Sequence, residues 1–335
     1  VKYFRLFLFP FSFLYWIISS VKNFLYETKL IKSFRVNKKI ICIGNITTGG
    51  TGKTPITISI AKALLNQKKK IAILSRGYKR LTKGFLEVDE INAEKFGDEP
   101  AMIFSNLPEA KVLVSENRVS AVNKISELYD LDFILMDDGL QNRKIQKDYT
   151  IAVINKESQS FLDKIYLPAG NLRESRARLN NYNSIIMNYK FKPSVINLNL
   201  ESNNFTCEYV LNGLYNINNE KIALENIIGN KVMAFCCIAH PHSFFEMLSK
   251  LNVQADQKIT YSDHYNFTSD EIDALIRLMK QKDFKLAITT EKDFVRIKNF
   301  SDEFISNGCD LLHTKISAEI KNLSTLINDI MELNQ

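Results

Sequence analysis

One run, Gly44 to Pro55 (GNITTGGTGKTP), constrains this chain more than any other, because its composition suits a strand that stops, a tight loop and a helix that starts. Glycines let backbone N–H groups close on phosphate oxygens, and the N-terminus of the following helix adds partial positive charge. The residues expected to bind a nucleotide are therefore Thr48, Gly49, Gly50, Thr51, Gly52, Lys53 and Thr54. Lys53 would reach the β/γ-phosphates and the Thr54 hydroxyl would bind Mg²⁺. Pro55 is compatible with a first helical turn, where no N–H partner is lost. The match to GxxxxGK[ST] is incomplete, since Thr47 stands at the first glycine position.

Such a loop needs an acidic residue at the end of a neighbouring strand. The segment DFILMDDGLQ supplies Asp137 and Asp138 directly after an apolar run, an arrangement that holds Mg²⁺ directly or through water. A strand-ending turn at Asp138-Gly139 is the plain alternative. Short runs rich in Ile and Val read as buried parallel strands: Lys39 to Gly44, Lys70 to Ser75, Lys111 to Ser115, Asp132 to Met136, Thr150 to Ile154 and Ser184 to Met187. Helical patterns at Thr54 to Asn66 and Asn117 to Tyr129 fall between them. This alternation predicts an α/β fold: a P-loop NTPase-like, doubly wound, mainly parallel sheet over residues 39–190.

Residues 191–230 are polar and Asn-rich and read as a linker with a possible two-stranded antiparallel pair, Asn204 to Val210 and a partner near Lys221. A second alternation then predicts a smaller α/β domain over 231–335. Its strands are Val232 to Ile238, one near Ile259, Leu286 to Thr290 and Asp310 to His313. Its helices follow Pro241, span Ser269 to Gln281, run up to Lys298 and cover Ala318 to Leu333.

Charge is unevenly placed. Residues 1–39 carry eight basic side chains against the single acid Glu27, which leaves 36 basic and 36 acidic groups on the other 296 residues. A nucleic-acid binder would carry its positive charge on the folded body, so that class is disfavoured. The charge instead flanks Leu6 to Val21, sixteen residues interrupted by Pro10 and shorter than the ~20 needed to span a bilayer. At 100° per residue Leu14, Ile17, Ile18, Val21 and Leu25 form one stripe, bordered by Lys22 and Lys29. Residues 1–38 therefore read as an amphipathic helix lying in an anionic membrane surface. A helix docked on the protein's own core is the other reading, and both can hold for different faces. The five cysteines are scattered and never form a CxxC pair, which fits a reducing cytoplasm.

Seven blocks, in order and spacing, resemble the tetraacyldisaccharide 4′-kinase family, the lipid A 4′-kinases of Gram-negative bacteria. They are GNITTGGTGKTP, SRGYKR (Ser75 to Arg80), GDEP (Gly97 to Pro100), DDGLQ, LPAGNLRE (Leu167 to Glu174), DHYNF (Asp263 to Phe267) and TTEKDFVR (Thr289 to Arg296). The resemblance runs from the N-terminal segment to about Arg296. It implies ATP-dependent phosphorylation of the 4′-hydroxyl of a tetraacylated glucosamine disaccharide 1-phosphate, giving lipid IVA on the cytoplasmic face of the inner membrane.

By the same resemblance, the lipid A disaccharide precursor is the partner molecule and a monomer is expected. Asp98, read as lying on a loop, would accept the sugar hydroxyl's proton, and His264 would pair with it across a cleft. Glu99 would help hold the metal with Thr54, Asp137 and Asp138. Arg76, Tyr78, Arg118, Asn171 and Arg173 would bind substrate, the last two at the 1-phosphate end or on the transferred group; guanidinium forks suit phosphates.

Two departures stand against the family's pattern. Asn142 replaces the histidine usual after DDGLQ, and IAHPH (Ile238 to His242) replaces the usual IGNP. The rival class is a membrane-associated P-loop switch ATPase of the partitioning or site-selection type. Those proteins carry a second lysine early in the loop, where this chain has Thr48.

Overall fold

The computed structural model describes residues 5, 7–155, 161–191, 203–227, 229–263 and 265–334. Helix α1 (Phe9–Glu27) starts where Pro10 can occupy its first turn. Strand β1 (Lys39–Gly44) then leads through the glycine-rich loop into α2 (Lys53–Asn66). There follow β2 (Ile71–Ser75), β3 (Leu86–Glu87), the short α3 (Ala93–Phe96), α4 (Asp98–Asn106), β4 (Lys111–Val114) and α5 (Arg118–Leu128). Strands β5 (Phe133–Asp137), β6 (Tyr149–Asn155) and β7 (Ser184–Lys190) complete this half.

The rest comprises β8 (Asn204–Tyr215), β9 (Lys221–Ile222), β10 (Val232–Cys236), α6 (Pro241–Lys250), β11 (Gln257–Thr260), α7 (Ser269–Gln281) and β12 (Leu286–Thr290). The last elements are α8 (Glu291–Ile297), α9 (Ser301–Ser306), β13 (Asp310–Ile320) and α10 (Leu323–Met331).

Among the described residues the thirteen strands belong to one sheet, in the order β11-β10-β12-β13-β8-β7-β6-β1-β5-β2-β4-β3, with β9 beside β8. Two parallel blocks meet where β8 pairs antiparallel with β13. On its other side β8 runs parallel to β7. The stretch read as a linker thus contributes a twelve-residue strand to the sheet; β9 pairs antiparallel with its far end, Leu214 and Tyr215, whereas Asn204 to Val210 pairs with β7 and β13. The expected doubly wound, mainly parallel α/β architecture is what the chain adopts.

One boundary needs correction. The strand expected over Asp310 to His313 continues to Ile320, and the helix expected from Ala318 starts at Leu323. Ile316, Ala318 and Ile320 recur with period two, and the register with β8 runs through them. Asn322, at φ 59°, makes the turn into α10.

Strand alternation decides where the core sits. Ile41 and Ile43 of β1 face α2, where Ile56, Ile60 and Leu64 are fully buried. The same cluster takes in Ala318, Ile320, Leu326, Ile327 and Ile330, so the end of the chain closes over the helix that follows the glycine-rich loop. Burying one such side chain stabilises by about 1.5–3 kcal/mol, and five together form a large fraction of a domain's net stability.

Helix α1 is amphipathic in an inverted sense. The stripe facing the body is Ser12, Tyr15, Ser19 and Asn23. Ser12 Oγ accepts the Ala169 N–H at 2.9 Å, Tyr15 donates to the Arg173 carbonyl at 3.4 Å, and Lys22 donates to the Gln141 carbonyl at 3.2 Å. The other faces expose Phe11, Phe13, Leu14, Trp16, Ile18 and Val21. Among the described residues, no helix is long and apolar enough to cross a membrane.

Candidate active site

The loop between β1 and α2 is shaped by what a glycine permits. Gly52 caps α2 at φ 79°, ψ 32°, a left-handed conformation. A Cβ there would lie 1.7 Å from Tyr209 Oη and 2.5 Å from Asn188 Nδ2, so no side chain fits. Those neighbours come from β8 and β7. Tyr209 Oη donates to the Gly52 carbonyl at 3.0 Å, and Asn188 Nδ2 donates to the Thr51 carbonyl at 2.9 Å and lies 2.9 Å from Tyr209 Oη.

The loop's first half is held from the other side. The Thr48 N–H donates to the Asn171 carbonyl at 2.7 Å, and Asn45 Nδ2 donates to Thr51 Oγ1 at 3.0 Å. Gly49 and Gly50 would meet nothing within 4 Å if they carried a Cβ, which leaves that face of the loop open.

Strand β5 delivers the acidic pair beside the loop. Asp137 is buried and accepts from Thr57 Oγ1 at 3.4 Å. Burial pushes its carboxyl up to about 6, against the opposing field of Lys53. Asp138, at φ 52°, turns its side chain to the cations: Lys53 Nζ is 3.5 Å from Oδ1 and Arg173 Nη1 is 3.1 Å from Oδ2. Burial raises the Asp138 carboxyl, but Lys53, Arg173 and Arg118 together outweigh it and the net displacement is downward. Burial thus makes one carboxyl harder to ionise than a free one, and the cations make its neighbour easier.

Arg118 lies buried at the start of α5, with Nη1 donating to the Asp138 carbonyl at 2.8 Å and Nη2 to the Asp137 carbonyl at 2.9 Å. In this structure it clamps the backbone of the acidic turn. Arg76, on the rim after β2, is close enough to depress the Arg118 pKa, and Tyr78 beside it is also exposed. Asn171 places its amide on Asp163 Oδ1 at 2.8 Å while its carbonyl holds Thr48. Thr54 stands in the first turn of α2 and Glu99 in the first turn of α4, close enough for Glu99 to raise the Asp137 pKa.

Asp98 departs from the expectation of a loop. It opens α4, because Gly97 at φ 96° ends α3 and lets the chain restart as a helix. Its carboxylate takes a fork from Arg296: Nε donates to Oδ1 at 2.9 Å and Nη2 donates to Oδ2. Arg296 Nη1 also donates to Asp293 Oδ1 at 3.1 Å, and Asp293 Oδ2 accepts the Cys237 N–H at 2.9 Å. Asp98 is therefore fixed to the second half of the sheet through α8. His264 lies outside the described residues. Lys79, Asp98, Asn266, Phe267 and Arg296 line a small recess.

A family model described as tetraacyldisaccharide-1-P 4′-kinase matches residues 4–332. The chain belongs to the tetraacyldisaccharide-1-P 4′-kinase family. Among curated tetraacyldisaccharide 4′-kinases, that of Flavobacterium johnsoniae is 34% identical over 310 residues, covering 88% of each chain. That of Actinobacillus pleuropneumoniae serotype 5b is 32% identical over 297 residues, covering 88% of this chain and 86% of its own. Among solved structures, the LpxK of Aquifex aeolicus, crystallised with ATP, superposes with a TM-score of 0.80 at 26% identity, covering 98% of this chain and 99% of that one.

The departures from the family's pattern find local explanations in this kinase. Ala239 stands where the usual block has glycine and is not among the residues at positive φ, and His240 after it caps α6 at φ −129°, ψ 75°, so IAHPH needs no left-handed residue there. Asn142 accepts the Lys144 N–H with Oδ1 at 3.2 Å and takes Lys147 Nζ on its carbonyl at 2.7 Å, an arrangement that tightens the turn after the acidic pair. Reading the sequence missed Asn188, Tyr209 and Arg296 as site residues. Arg296 lay inside the quoted TTEKDFVR block. Asn188 and Tyr209 carry no local signal, since each acts on a loop more than 130 residues away.

Proposed function

We propose that this 4′-kinase transfers the γ-phosphoryl group of ATP to the 4′-hydroxyl of a tetraacylated glucosamine disaccharide 1-phosphate with the residues gathered at the β1–α2 loop. The observation that carries this reading is the convergence of Lys53 and Arg173 on Asp138 beside an open glycine loop. Phosphoryl transfer asks little covalent chemistry of a protein and much positioning and charge stabilisation. Backbone amides of residues 48–54 cradle the phosphates, and Lys53, released from Asp138, follows the charge on the transferred group. Arg173 and Asn171 face the same site from the LPAGNLRE segment and hold anionic oxygens there.

The donors present fit a divalent cation. Mg²⁺ takes one or two carboxylates and fills its shell with phosphate oxygens and water, and the acidic pair after β5 would supply the carboxylates. Asp137, buried with its pKa raised, is the carboxylate a cation would ionise, and Thr54, Asp138 and Glu99 stand beside it. An Mg²⁺ held by these residues would supply positive charge to offset the negative charge of the transferred group.

Asp98 receives the 4′-hydroxyl proton, and in a loose transition state its positioning of the oxygen matters as much as its basicity. His264 orients Asp98. Arg76 and Tyr78 on the rim, and Arg118 beneath them, complete the acceptor side. The acceptor carries acyl chains, and α1 offers a surface to match: its polar stripe is spent on the protein while Phe11, Phe13, Leu14, Trp16 and Ile18 face outward. We therefore assign the chain to the cytoplasmic face of the inner membrane as a peripheral protein.

Incubation with γ-labelled ATP and the disaccharide lipid tests the reading. Label should pass to the lipid fraction; release as free phosphate without labelled lipid would mark a switch ATPase instead.

A further inference from the structure

The glycine loop is held from a direction its own sequence does not reveal. The carbonyls of Thr51 and Gly52 point to Asn188 on β7 and Tyr209 on β8, and the two side chains contact each other at 2.9 Å. A trans peptide is planar, with its C=O and N–H on opposite sides. Fixing the Thr51 carbonyl against β7 therefore turns the Gly52 N–H away from the sheet, and fixing the Gly52 carbonyl against β8 does the same for the Lys53 N–H. Those are the amides that a phosphate-binding loop offers its anion at the start of the helix.

We propose that Tyr209 and Asn188 are positioning residues of the nucleotide site, which pre-aim the Gly52 and Lys53 amides so that ATP meets a loop already in its binding shape. This rests on the loop being the ATP site, as proposed above. The brace is stiff for three reasons. Asn188 is buried. The Tyr209 ring meets Phe191 edge-on at 5.5 Å. Tyr209 Oη occupies the space a Gly52 Cβ would take, so the backbone packs directly against β8 there. Since β8 also pairs with β13, the loop is referenced to the strand that joins the two halves of the sheet. Preorganisation of this kind lowers the ordering cost of binding without touching the ligand.

Tyr209→Phe removes one oxygen and keeps the ring. Losing a hydrogen bond to an acceptor that stays buried weakens the step it supports about tenfold. The KM for ATP should therefore rise about tenfold, while the KM for the lipid acceptor stays within about twofold and the melting temperature barely moves. Asn188→Ala should act in the same direction, and the double variant should be less than multiplicative, because both side chains hold one loop. In the free enzyme, amide exchange at Gly52 and Lys53 should quicken in Tyr209→Phe.

An unchanged KM for ATP in Tyr209→Phe overturns the proposal, as does a rise in both KM values together with a lowered melting temperature, which is the mark of a purely structural role. Failure of both single variants to fold would overturn it on the same ground. Lys53→Ala, measured alongside, separates the two layers. If it weakens ATP use and Tyr209→Phe does not, the brace alone is wrong; if neither variant affects ATP use, the loop is not the ATP site and both readings fall.

Discussion

Asp98 occupies a first helical turn yet leaves capping to the backbone and gives both carboxylate oxygens to Arg296. A bidentate guanidinium fixes a carboxylate in angle as well as position, and Asp98 lines the recess together with Asn266. Asp98→Ala should lower kcat by about 10²–10⁴, the range for losing a positioned proton acceptor. If His264 acts through Asp98, the double alanine variant should be little worse than the worse single one; fully multiplicative losses would show independent roles. A second residue, Glu291, makes a prediction about pH. It is buried at the start of α8, accepts from Asn106 Nδ2 at 2.7 Å with one oxygen, and has no hydrogen-bond partner for the other among the described residues. Burial, outweighing Asn106 and Lys315, pushes its carboxyl up to about 7. A carboxyl raised by folding favours the native state below its unfolded value near 4.5, and that favour is lost as pH rises through about 7. The loss is on the order of 3 kcal/mol. Denaturant titrations from pH 4.5 to 8 should show wild type falling relative to Glu291→Gln, and parallel curves would refute the assignment.

At the scale of elements, local chemistry and long-range chemistry separate cleanly. The strand-loop-helix around Gly52 and the strand carrying Asp137 were legible because every determinant lies within about a dozen residues: an apolar run, then glycines or acids, then a cap. The strand from Asp310 was cut short because KISAEI reads as a helix start when its partner is unknown; only pairing with β8 discloses the period-two pattern. Asn188 and Tyr209 were illegible for the same reason, since nothing near them mentions a loop in another part of the chain. In helix α1 the stripe of Leu14, Ile17, Ile18, Val21 and Leu25 is legible from its spacing, and all but the half-buried Leu25 are exposed, while the polar stripe of Ser12, Tyr15, Ser19 and Asn23 that docks it carries no comparable hydropathy signal. The inversion makes a separable prediction. Phe11, Phe13 and Ile18 are exposed, so replacing all three with Ser should weaken binding to anionic vesicles severely and shift the melting temperature little. Neutralising Lys22, Lys29 and Lys32 should remove ~1 kcal/mol for each residue near the headgroups and make the remaining binding less sensitive to salt. Full, salt-insensitive binding by the lysine variant would remove the electrostatic half of the argument.

For the whole molecule, the joining of both halves in a single sheet argues for one unfolding transition rather than two. Deleting residues 323–335 tests how far the end of the chain supports the loop. It removes Leu326, Ile327 and Ile330 from the cluster around α2, at about 1.5–3 kcal/mol each. The truncated protein should melt far lower and lose ATP use in parallel; normal ATP affinity would show that α10 is dispensable to the site. This return of the last helix to the first half also sets a timetable. A ribosome delivers the chain from its N-terminus, and early segments ordinarily fold as they emerge. Here α2, which follows the glycine-rich loop, begins at residue 53, while the side chains that cover it emerge after residue 322. The loop is thus made long before its cover, and on the proposal that it is the ATP site a stalled nascent chain lacking α10 should leave ATP unbound however long it waits.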